Sequence, residues 1–549
     1  MQNVATRGLF KGMSPRVTAV ATLLVLGFAA AGAVWPARLD SLVVGWRETL
    51  TPFLQWYYVL VVAGFLAVVL WLGTGRFKDI RLGRDGEAPE FRTFSWLTML
   101  FAAGMGVGLI FWAVAEPISH FEDNPFTAGG NPTQRADTAL WLAYFHWGLN
   151  GWAVFSLVAL TLGYFSFRKG LPLTMRSAFH PLIGKRIHGR WGDAIDILAV
   201  LATVFGIATT LGLGIQQLNT GVRELTGVAT GTTGETAIAV AIMGIATISV
   251  LYGLQSGVRL ISEANFWMSA LVLLFFLLLG PTQYLLALIV QSTGDYLQNL
   301  FTLSFHTHAN TRSDWQAEWT IFYWGWWLAW APFVGIFIAR ISRGRKLREF
   351  VMGVLLVPTG ITILWIGLFG GNAIHIELFG PGGVAEASRE DLSTAVYRTI
   401  ELMDVGLWAL GASILVTVLI GTYLITSANA GILVTQTLLS NGSTELSRLH
   451  TVVWGGVITL VTVVLLTAGG LSTLQGAVIA AAVPFSAIIL GMAAGLIKAL
   501  GQERLAARPG ERSGRPMEPW AQAESEWTYE SKAPAAEERS EAREEGTGR

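Results

Sequence analysis

Apolar runs of about 20 residues recur along this chain from Val17 to about Ala499, and they constrain its fold more than any other feature. A helix of that length is long enough to cross the hydrocarbon core of a bilayer. Charged residues make up only 13% of the chain, whereas a soluble protein of 549 residues would divide into domains and carry more charge. The runs therefore predict an all-α polytopic membrane protein.

The number and orientation of the spans follow from hydropathy and from the placement of Lys and Arg. We predict about twelve spans, near residues 17–35, 57–74, 96–114, 139–167, 195–215, 236–253, 262–291, 319–341, 349–371, 404–439, 449–468 and 473–499. Basic residues cluster in the second, fourth and eighth loops, and cytoplasmic loops are the ones rich in them. The alternation predicts a multi-pass protein of the cell (inner) membrane with both termini in the cytoplasm. We expect no cleaved signal peptide, because the first span is longer than a signal sequence.

Net charge and the missing residue types exclude several functions. The formal net charge is zero, which argues against nucleic-acid partners. Cysteine is absent, so a disulfide framework, a thiolate nucleophile and a thiolate metal site are excluded. A membrane enzyme would need clustered His, Asp or Glu inside the spans, and the sequence offers almost none. We therefore predict that the chain is not an enzyme and holds no cofactor apart from a coupling ion.

The layout of the spans predicts five segments. Residues 1–95 would hold the N-terminus and two leading helices, 96–291 and 319–499 two blocks of five spans, 292–318 an outer interfacial helix, and 500–549 a cytoplasmic, disordered tail. The first helix of each block looks interrupted. An odd number of spans per block places the blocks in opposite orientations, which is the inverted-repeat plan of many secondary transporters.

An aromatic stretch, WGWWLAWAPF, runs from Trp324 to Phe333. On a helix, Trp326, Trp330 and Phe333 form one stripe with Trp327 beside it. Aromatic faces attract cations, above all a quaternary ammonium that has no N–H to donate. The alternatives are a packed helix interface or a membrane-surface belt, where Trp is common.

Glycines at positions 104, 106 and 108 predict a second special region. Glycine weakens a membrane helix, and unwound backbone that lines a cavity can coordinate Na⁺. The alternative is small-residue helix packing, since Gly104 and Gly108 are four residues apart. Thr426 and Ser427 lie together in a later span and could complete an oxygen cage for Na⁺. Hydroxyls of this kind more commonly bond back to carbonyls of their own helix.

Two stretches carry a resemblance to a known family. GMGVGLIFWAVAEP (Gly104 to Pro117) and TIFYWGWWLAWAPFVGIFIARISRGR (Thr320 to Arg345) resemble the betaine/carnitine/choline transporter family, and the likeness extends over essentially all the spans. The resemblance implies a leucine-transporter-type fold, with two inverted five-helix repeats preceded by two extra helices. It also implies a homotrimer in the lipid membrane, a small osmolyte as substrate and sodium as coupling ion.

The resemblance also implies roles for individual residues. The box around a trimethylammonium group would consist of Trp147, Trp152, Phe155 and Trp327. Trp326 and Trp330 would line the pathway or a neighbouring pocket, and the backbone at Gly104, Gly106 and Gly108 would face the substrate. The principal sodium site would use the backbone of Ala102, Met105 and Tyr423 with the hydroxyls of Thr426 and Ser427. A second sodium site would use Thr203, a hydroxyl at position 207 and the ring of Phe333.

Three positions depart from the family pattern. Phe155 replaces a Tyr of some betaine carriers, which keeps the π face and removes a hydroxyl. Ile207 removes a ligand from the second sodium site, so we expect fewer coupled sodium ions or a rearranged site. Asn429 stands where these carriers often have Asp.

The substrate class is inferred from the charges near the glycines. The first carboxylate after them is Glu116, about two turns on, where we expect it near the outer face. A choline carrier benefits from an anionic partner, whereas a zwitterion such as glycine betaine carries its own negative charge. We therefore favour a zwitterionic osmolyte imported with sodium. Choline, carnitine, ectoine and dimethylsulfoniopropionate stay open, as do a proton-coupled choline transporter, a sodium-independent exchanger and a sensor without transport.

Overall fold

The computed structural model describes residues 4–104, 106–127, 129–253, 255–310, 314–443 and 447–506. These residues form eighteen α-helices with short 3₁₀ and π segments, and among them β structure is limited to two isolated bridges. The helices are α1 Pro15–Val34, α2 Pro36–Thr74, α3 Thr93–Gly104, α4 Val107–Glu122, α5 Pro132–Trp147, α6 Leu149–Gly163, α7 His180–Ile183, α8 Arg190–Thr226, α9 Gly231–Leu251, α10 Gln255–Leu279, α11 Thr282–Ser304, α12 Phe322–Ile341, α13 Leu347–Phe379, α14 Val384–Glu390, α15 Ala395–Leu402, α16 Leu407–Leu439, α17 Arg448–Gly469 and α18 Leu471–Ala506. The all-α prediction is confirmed.

The chain divides into two compact units, Met1–Ile497 and Lys498–Arg549. The first unit contains every span up to the last helix. Of the second, the structure describes residues 498–506, which are helical. The tail predicted to be disordered lies, from residue 507 onward, outside the described residues.

The spans agree with the predicted number. Eleven helices of the described chain are long and apolar enough to cross a membrane, and a bent pair, α3 with α4, makes a twelfth. The fourth span, Pro132–Arg168, is a composite of α5, α6 and a π segment. The multi-pass membrane prediction is therefore confirmed.

The break at the glycines is the main irregularity among the spans. α3 ends at Gly104 and α4 begins at Val107, and the two axes differ by 61°. Gly106 is extended, with φ −165° and ψ 170°. The interrupted helix predicted at the start of the first block is confirmed. Met105, at the break itself, lies outside the described residues.

The corresponding prediction for the second block is wrong. α12 runs from Phe322 to Ile341 and stays helical through Pro332, after a π-helical turn at Ala317–Ile321. Proline removes one backbone donor and one intrahelical bond, which weakens a helix without having to end it. Pro332 is buried among other helices, which hold the segment in place.

The seventh span is shorter than predicted. α10 ends at Leu279, and a separate helix, α11, begins at Thr282. Gly280 and Pro281 separate them, because proline disfavours a helical conformation in the residue before it. The helix predicted to begin near Tyr296 therefore begins at Thr282 and ends at Ser304.

Small residues allow α12 to lie close to its neighbours α6 and α8. A Cβ on Gly151 of α6 would be 2.8 Å from Nε1 of Trp327, and a Cβ on Gly335 would be 2.5 Å from Val158. On the other side, a Cβ on Gly206 would be 3.2 Å from the backbone of Ala329. Such contacts let backbones approach closely in a membrane bundle. They place the aromatic face of α12 in the centre of the protein.

Backbone hydrogen bonds join the α2–α3 loop to the α12–α13 loop, and we call this pairing the loop ladder. Leu82 N–H donates to the Arg345 carbonyl at 2.9 Å, and Gly344 N–H donates to the Leu82 carbonyl at 2.7 Å. The ladder continues with Leu347 N–H to Ile80 at 2.8 Å and Arg348 N–H to Lys78 at 3.0 Å. Both loops are among those predicted to be cytoplasmic.

Candidate functional site

Four rings of the predicted box form a continuous cluster in the structure. The ring of Trp147 lies 4.9 Å from Trp327, Trp327 lies 5.7 Å from Phe155, and Phe155 lies 5.4 Å from Trp152, measured between centroids. Successive planes meet at 74–76°. Aromatic rings at such angles can point their faces at one position, as a cation–π cage requires. The structure brings these four predicted residues together.

The two remaining tryptophans flank the cluster. Trp326 stacks on Trp327 at 5.1 Å with an angle of 10°, and its Nε1–H donates to Thr210 Oγ1 at 3.1 Å. Trp330 lies 6.4 Å from Phe155. Trp326 and Trp327 are 1% and 4% exposed, which excludes the membrane-surface belt as an explanation of these rings. The role of Trp326 and Trp330 in lining the pathway or a neighbouring pocket stays a prediction.

The glycines of the break differ in their surroundings. A Cβ on Gly108 would lie 2.6 Å from Cη2 of Trp326, so residue 108 must be small for this indole to fit, and 3.6 Å from Cη2 of Trp147, which is an ordinary contact. A Cβ on Gly106 would meet no atom within 4 Å. Gly104 is the last residue of α3. The small-residue packing alternative requires Gly104 and Gly108 on one helix, and the break between α3 and α4 separates them.

The described residues of the predicted principal sodium site lie on α3 and α16. The Thr426 hydroxyl donates to the carbonyls of Thr422 at 3.2 Å and Tyr423 at 3.0 Å, within an unbroken α16. Ser427 is half-buried beside it, and Ala102, near the end of α3, is exposed. Met105 lies outside the described residues. The sodium site stays a prediction.

At the predicted second sodium site, Ile207 packs between two helices. Its side chain lies 3.0 Å from where a Cβ of Gly431 would be, so it fills the space between α8 and α16. The Thr203 hydroxyl donates to the Ala199 carbonyl at 2.7 Å, and the ring of Phe333 contacts Trp330 at 5.2 Å. Asn429, the third departure from the family pattern, donates to Ser249 Oγ at 3.1 Å.

A buried polar cluster was missed by the sequence analysis. Glu116, which we expect near the outer face, is fully buried in the protein, and Trp147 Nε1–H donates to its Oε2 at 2.9 Å. Its depth in the membrane stays a prediction. The expectation of almost no clustered His or Glu inside the spans is wrong, because His120 and His146 lie beside the carboxylate. A signal existed, since Glu116 and His120 are four residues apart on one helix face and His146 precedes Trp147.

His306 and His308 follow the end of α11, and their rings lie 4.2 Å apart. Both contact the ring of Phe126. Burial lowers the pKa of His308 to about 4, so this imidazole is neutral at pH 7.

A polar cavity of about 510 Å³ lies where α8 ends and α9 begins. Its lining includes Arg223, Glu235 and Asp391, and Arg223 contacts the Asp391 carboxylate at 3.3 Å. Phe111, one turn after Gly108 on α4, also lines it and is buried. The cavity therefore reaches α4, the helix that carries Gly108.

Comparison with known proteins identifies the family of this chain. Residues 16–505 match the profile described as BCCT, betaine/carnitine/choline family transporter. The chain is 40% identical to the "Probable glycine betaine transporter" of Desulfitobacterium hafniense over 88% of this chain and 96% of that protein. It is 38% identical to the "Glycine betaine transporter OpuD" of Bacillus subtilis over 90% and 97%, respectively. It is 39% identical to the "Osmo-dependent choline transporter BetT2" of Acinetobacter baylyi over 82% of this chain and 66% of that protein.

The profile covers nearly the whole described chain, including both quoted stretches, the glycine break and the aromatic cluster. The relatives are named as transporters, and the family is not one of enzymes. The chain belongs to the betaine/carnitine/choline family of transporters.

Proposed function

We propose that this protein is a secondary active transporter that imports a quaternary-ammonium zwitterion of the glycine betaine class together with sodium, by alternating access. The single observation that carries the proposal is the cluster of Trp147, Trp152, Phe155 and Trp327, which lies against the glycine break of α3 and α4. Buried aromatic faces suit a methylated cation, and opened backbone suits a carboxylate or a metal ion.

Sodium coupling is supported by the residue types at the predicted site. Thr426 and Ser427 carry hydroxyls in α16. α3 ends at Gly104, directly before the glycine break. In this structure the hydroxyl of Thr426 donates to carbonyl oxygens of its own helix. Binding of Na⁺ would require its oxygen to face the ion instead. We also propose the homotrimer, the inner membrane and the cytoplasmic termini, which rest on the family likeness and on the basic loops.

Choline is the second candidate substrate, and one observation favours it. The Glu116 carboxylate hydrogen-bonds to a ring of the aromatic cluster, so an anionic partner for a net cation is present after all. One relative is itself named as a choline transporter. A proton-coupled choline transporter or a sodium-independent exchanger of carnitine or betaine type are the corresponding alternatives.

The test is uptake by proteoliposomes of labelled glycine betaine, choline, carnitine and ectoine, with a sodium gradient and with K⁺ in place of Na⁺. We expect betaine to accumulate only with the sodium gradient. Uptake that is the same in K⁺ would contradict sodium coupling and favour the exchanger. Choline uptake that follows a proton gradient would favour the second candidate, and ligand binding without any accumulation would indicate a sensor.

A further inference from the structure

Glu116 accepts a hydrogen bond from each of four side chains in the interior of the protein. Oε2 accepts from Trp147 Nε1–H at 2.9 Å and from the Tyr323 hydroxyl at 2.5 Å. Oε1 lies 2.6 Å from His146 Nδ1 and 3.3 Å from His120 Nε2. The two oxygens of an ionised carboxylate have about four acceptor sites, and all four are used here.

The donors around this cluster fix the position of the hydrogens. An indole N–H can only donate, and Trp315 donates its N–H to His120 Nδ1 at 3.3 Å. Nδ1 of His120 is therefore the acceptor nitrogen, and Nε2 carries the hydrogen that faces Glu116. Trp147 likewise offers only a donor to Oε2. The surroundings of Glu116 thus suit a carboxylate that has lost its proton.

Among the described residues, no Lys or Arg forms an ion pair with Glu116, whose ion-pair partners are His120 and His146. His146 Nε2 lies 3.0 Å from the Thr320 hydroxyl, which can donate to it and leave the ring neutral. Hydrogen bonds alone then stabilise the anion, and its negative potential extends into the low-dielectric interior.

Trp147 transmits that potential to the aromatic cluster. Its N–H faces Glu116, while its ring contacts Trp327 at 4.9 Å and Trp326 at 6.0 Å. Donation to an anion increases the electron density of the indole face, and a denser face attracts a cation more strongly. His146 anchors the other wall, because its carbonyl accepts Nε1–H of Trp327 at 2.9 Å. One cluster therefore orients two walls of the box.

We propose that Glu116 is the buried counter-charge for the onium group of the substrate, acting through Trp147 as a positioning residue. This inference rests on the proposed function, because it assumes that the aromatic cluster binds a quaternary ammonium. A net cation gains more from the counter-charge than a zwitterion, whose own carboxylate is repelled by it. Glu116 thus adjusts the preference between choline and betaine.

A metal ion is the competing use of the same side chains, since Glu116, His120 and His146 bring three ligand atoms within 4.8 Å of one another. Two contacts oppose it. A metal at His120 Nε2 requires the hydrogen on Nδ1, where it would meet the N–H of Trp315. The 2.6 Å contact between Glu116 and His146 is also a direct hydrogen bond, shorter than the separation of two ligands around one ion.

The experiment compares Kd for choline and glycine betaine in detergent-purified wild type, Glu116→Gln and Trp147→Phe. Two unit charges separated by roughly an indole ring and a hydrogen bond, at an effective dielectric constant near 20, change affinity by about tenfold. We therefore expect Glu116→Gln to raise the Kd for choline about tenfold and the Kd for betaine less. Trp147→Phe keeps a ring but loses the N–H, and we expect the same change in ratio, of smaller size. Glu263→Gln, at an exposed carboxylate paired with Arg259, is the matched control and should leave the ratio unchanged.

The outcomes separate this inference from the proposed function. Wild type that binds neither ligand would overturn both. Wild type that binds both ligands, with an unchanged choline-to-betaine ratio in both variants, would overturn the counter-charge alone and leave Glu116 a structural residue. Stoichiometric zinc that is retained by the wild type and lost from Glu116→Gln would also overturn it. If Glu116→Gln does not fold, the ratio in Trp147→Phe decides.

Discussion

Gly108 lies directly against the indole of Trp326: a Cβ at position 108 would be 2.6 Å from Cη2 of that ring. Real Cβ atoms do not approach so closely, so a side chain at this position must displace the ring. Trp326 is stacked on Trp327, and the displacement would reach the proposed box. The glycine therefore determines where the tryptophans stand.

The first prediction concerns that contact. Gly108→Ala should lower betaine affinity and uptake several-fold, because overpacking moves Trp326 and with it Trp327. Isothermal titration and uptake in proteoliposomes measure the effect. Gly360→Ala is the matched control, since a Cβ on that exposed helical glycine of α13 meets no atom within 4 Å, and it should leave uptake unchanged. Equal uptake by both variants would contradict the proposed role of Gly108.

The second prediction concerns the box itself. Trp327→Ala should weaken betaine binding roughly thirtyfold, because a desolvated cation–π contact contributes about 2 kcal/mol. Binding measured by titration should recover in part in Trp327→Phe, which keeps a ring. Trp267→Ala is the control, since Trp267 is 70% exposed on α10. Unchanged affinity in Trp327→Ala would remove the box from the proposal.

The third prediction concerns sodium. Thr426→Ala combined with Ser427→Ala should raise the Na⁺ concentration required for half-maximal uptake about tenfold or more, because two ligand oxygens are lost. Thr467→Ala removes a hydroxyl that likewise bonds back to its own helix, but at an exposed position of α17. Its Na⁺ dependence should match the wild type. The sodium site would be misplaced if the double variant kept the wild-type dependence as well.

The fourth prediction concerns the space that Ile207 fills. Ile207→Ser removes the side chain packed against Gly431 and supplies a hydroxyl on the same face of α8. We expect uptake to depend more steeply on Na⁺, with a higher Hill coefficient, because a second oxygen site becomes possible near Thr203. Ile207→Val keeps an apolar side chain there and should not change the steepness. A wild-type Hill coefficient in the Ser variant would contradict this.

The fifth prediction concerns pH and the loop ladder. Glu87 is partly desolvated, which raises its pKa, but Arg84 N–H and the Arg343 guanidinium hold the net pKa below its ordinary value of 4.5. The charged form therefore stabilises the folded protein above about pH 4.5, and this contribution is lost as the pH falls through the lowered pKa. Arg343 Nε lies 2.6 Å from Glu87 Oε1.

Glu87→Gln should accordingly lower the melting temperature in detergent at pH 7. The loss of folding free energy should be less than about 1 kcal/mol, since the ion pair of Glu87 with Arg343 is partly exposed. At pH 3.5 the difference from the wild type should shrink. Glu401→Gln, whose partner Arg398 is only three residues away, is the control and should show little effect at either pH. A difference that is the same at both values would mean that charge is not involved.

Periodicity predicted the parts of the fold that hydropathy governs. The spans and the break at Gly104–Gly108 agree with the structure, because apolar length and glycine content act locally. The grouping of Trp147, Trp152, Phe155 and Trp327 was implied by the family resemblance and not by these local rules. Pro332 shows the limit of local rules. Its effect on α12 depends on the helices packed around it, which the sequence does not display.

Glu116 shows the same limit at the candidate site. Counted along α4, the residue lies about two turns beyond the glycines, which suggested the outer face. The residue is fully buried, and its partners Trp147, Tyr323 and His146 are remote in sequence and meet it only in the folded protein. A buried charge is recognisable when its partners are known, and single-helix counting does not provide them.

The loop ladder has a consequence for how such a protein could open. It joins the loop that leads into α3 to the loop that leaves α12, and these are the first helices of the two five-span blocks. The four main-chain hydrogen bonds of the ladder, and a fifth from Glu90 N–H to the Arg343 carbonyl at 3.2 Å, would have to break before the ends of these helices next to the ladder could separate. We therefore expect those two helix ends to move together. A substrate route on that side of the protein would then open between this pair and the neighbouring helices, and not between α3 and α12.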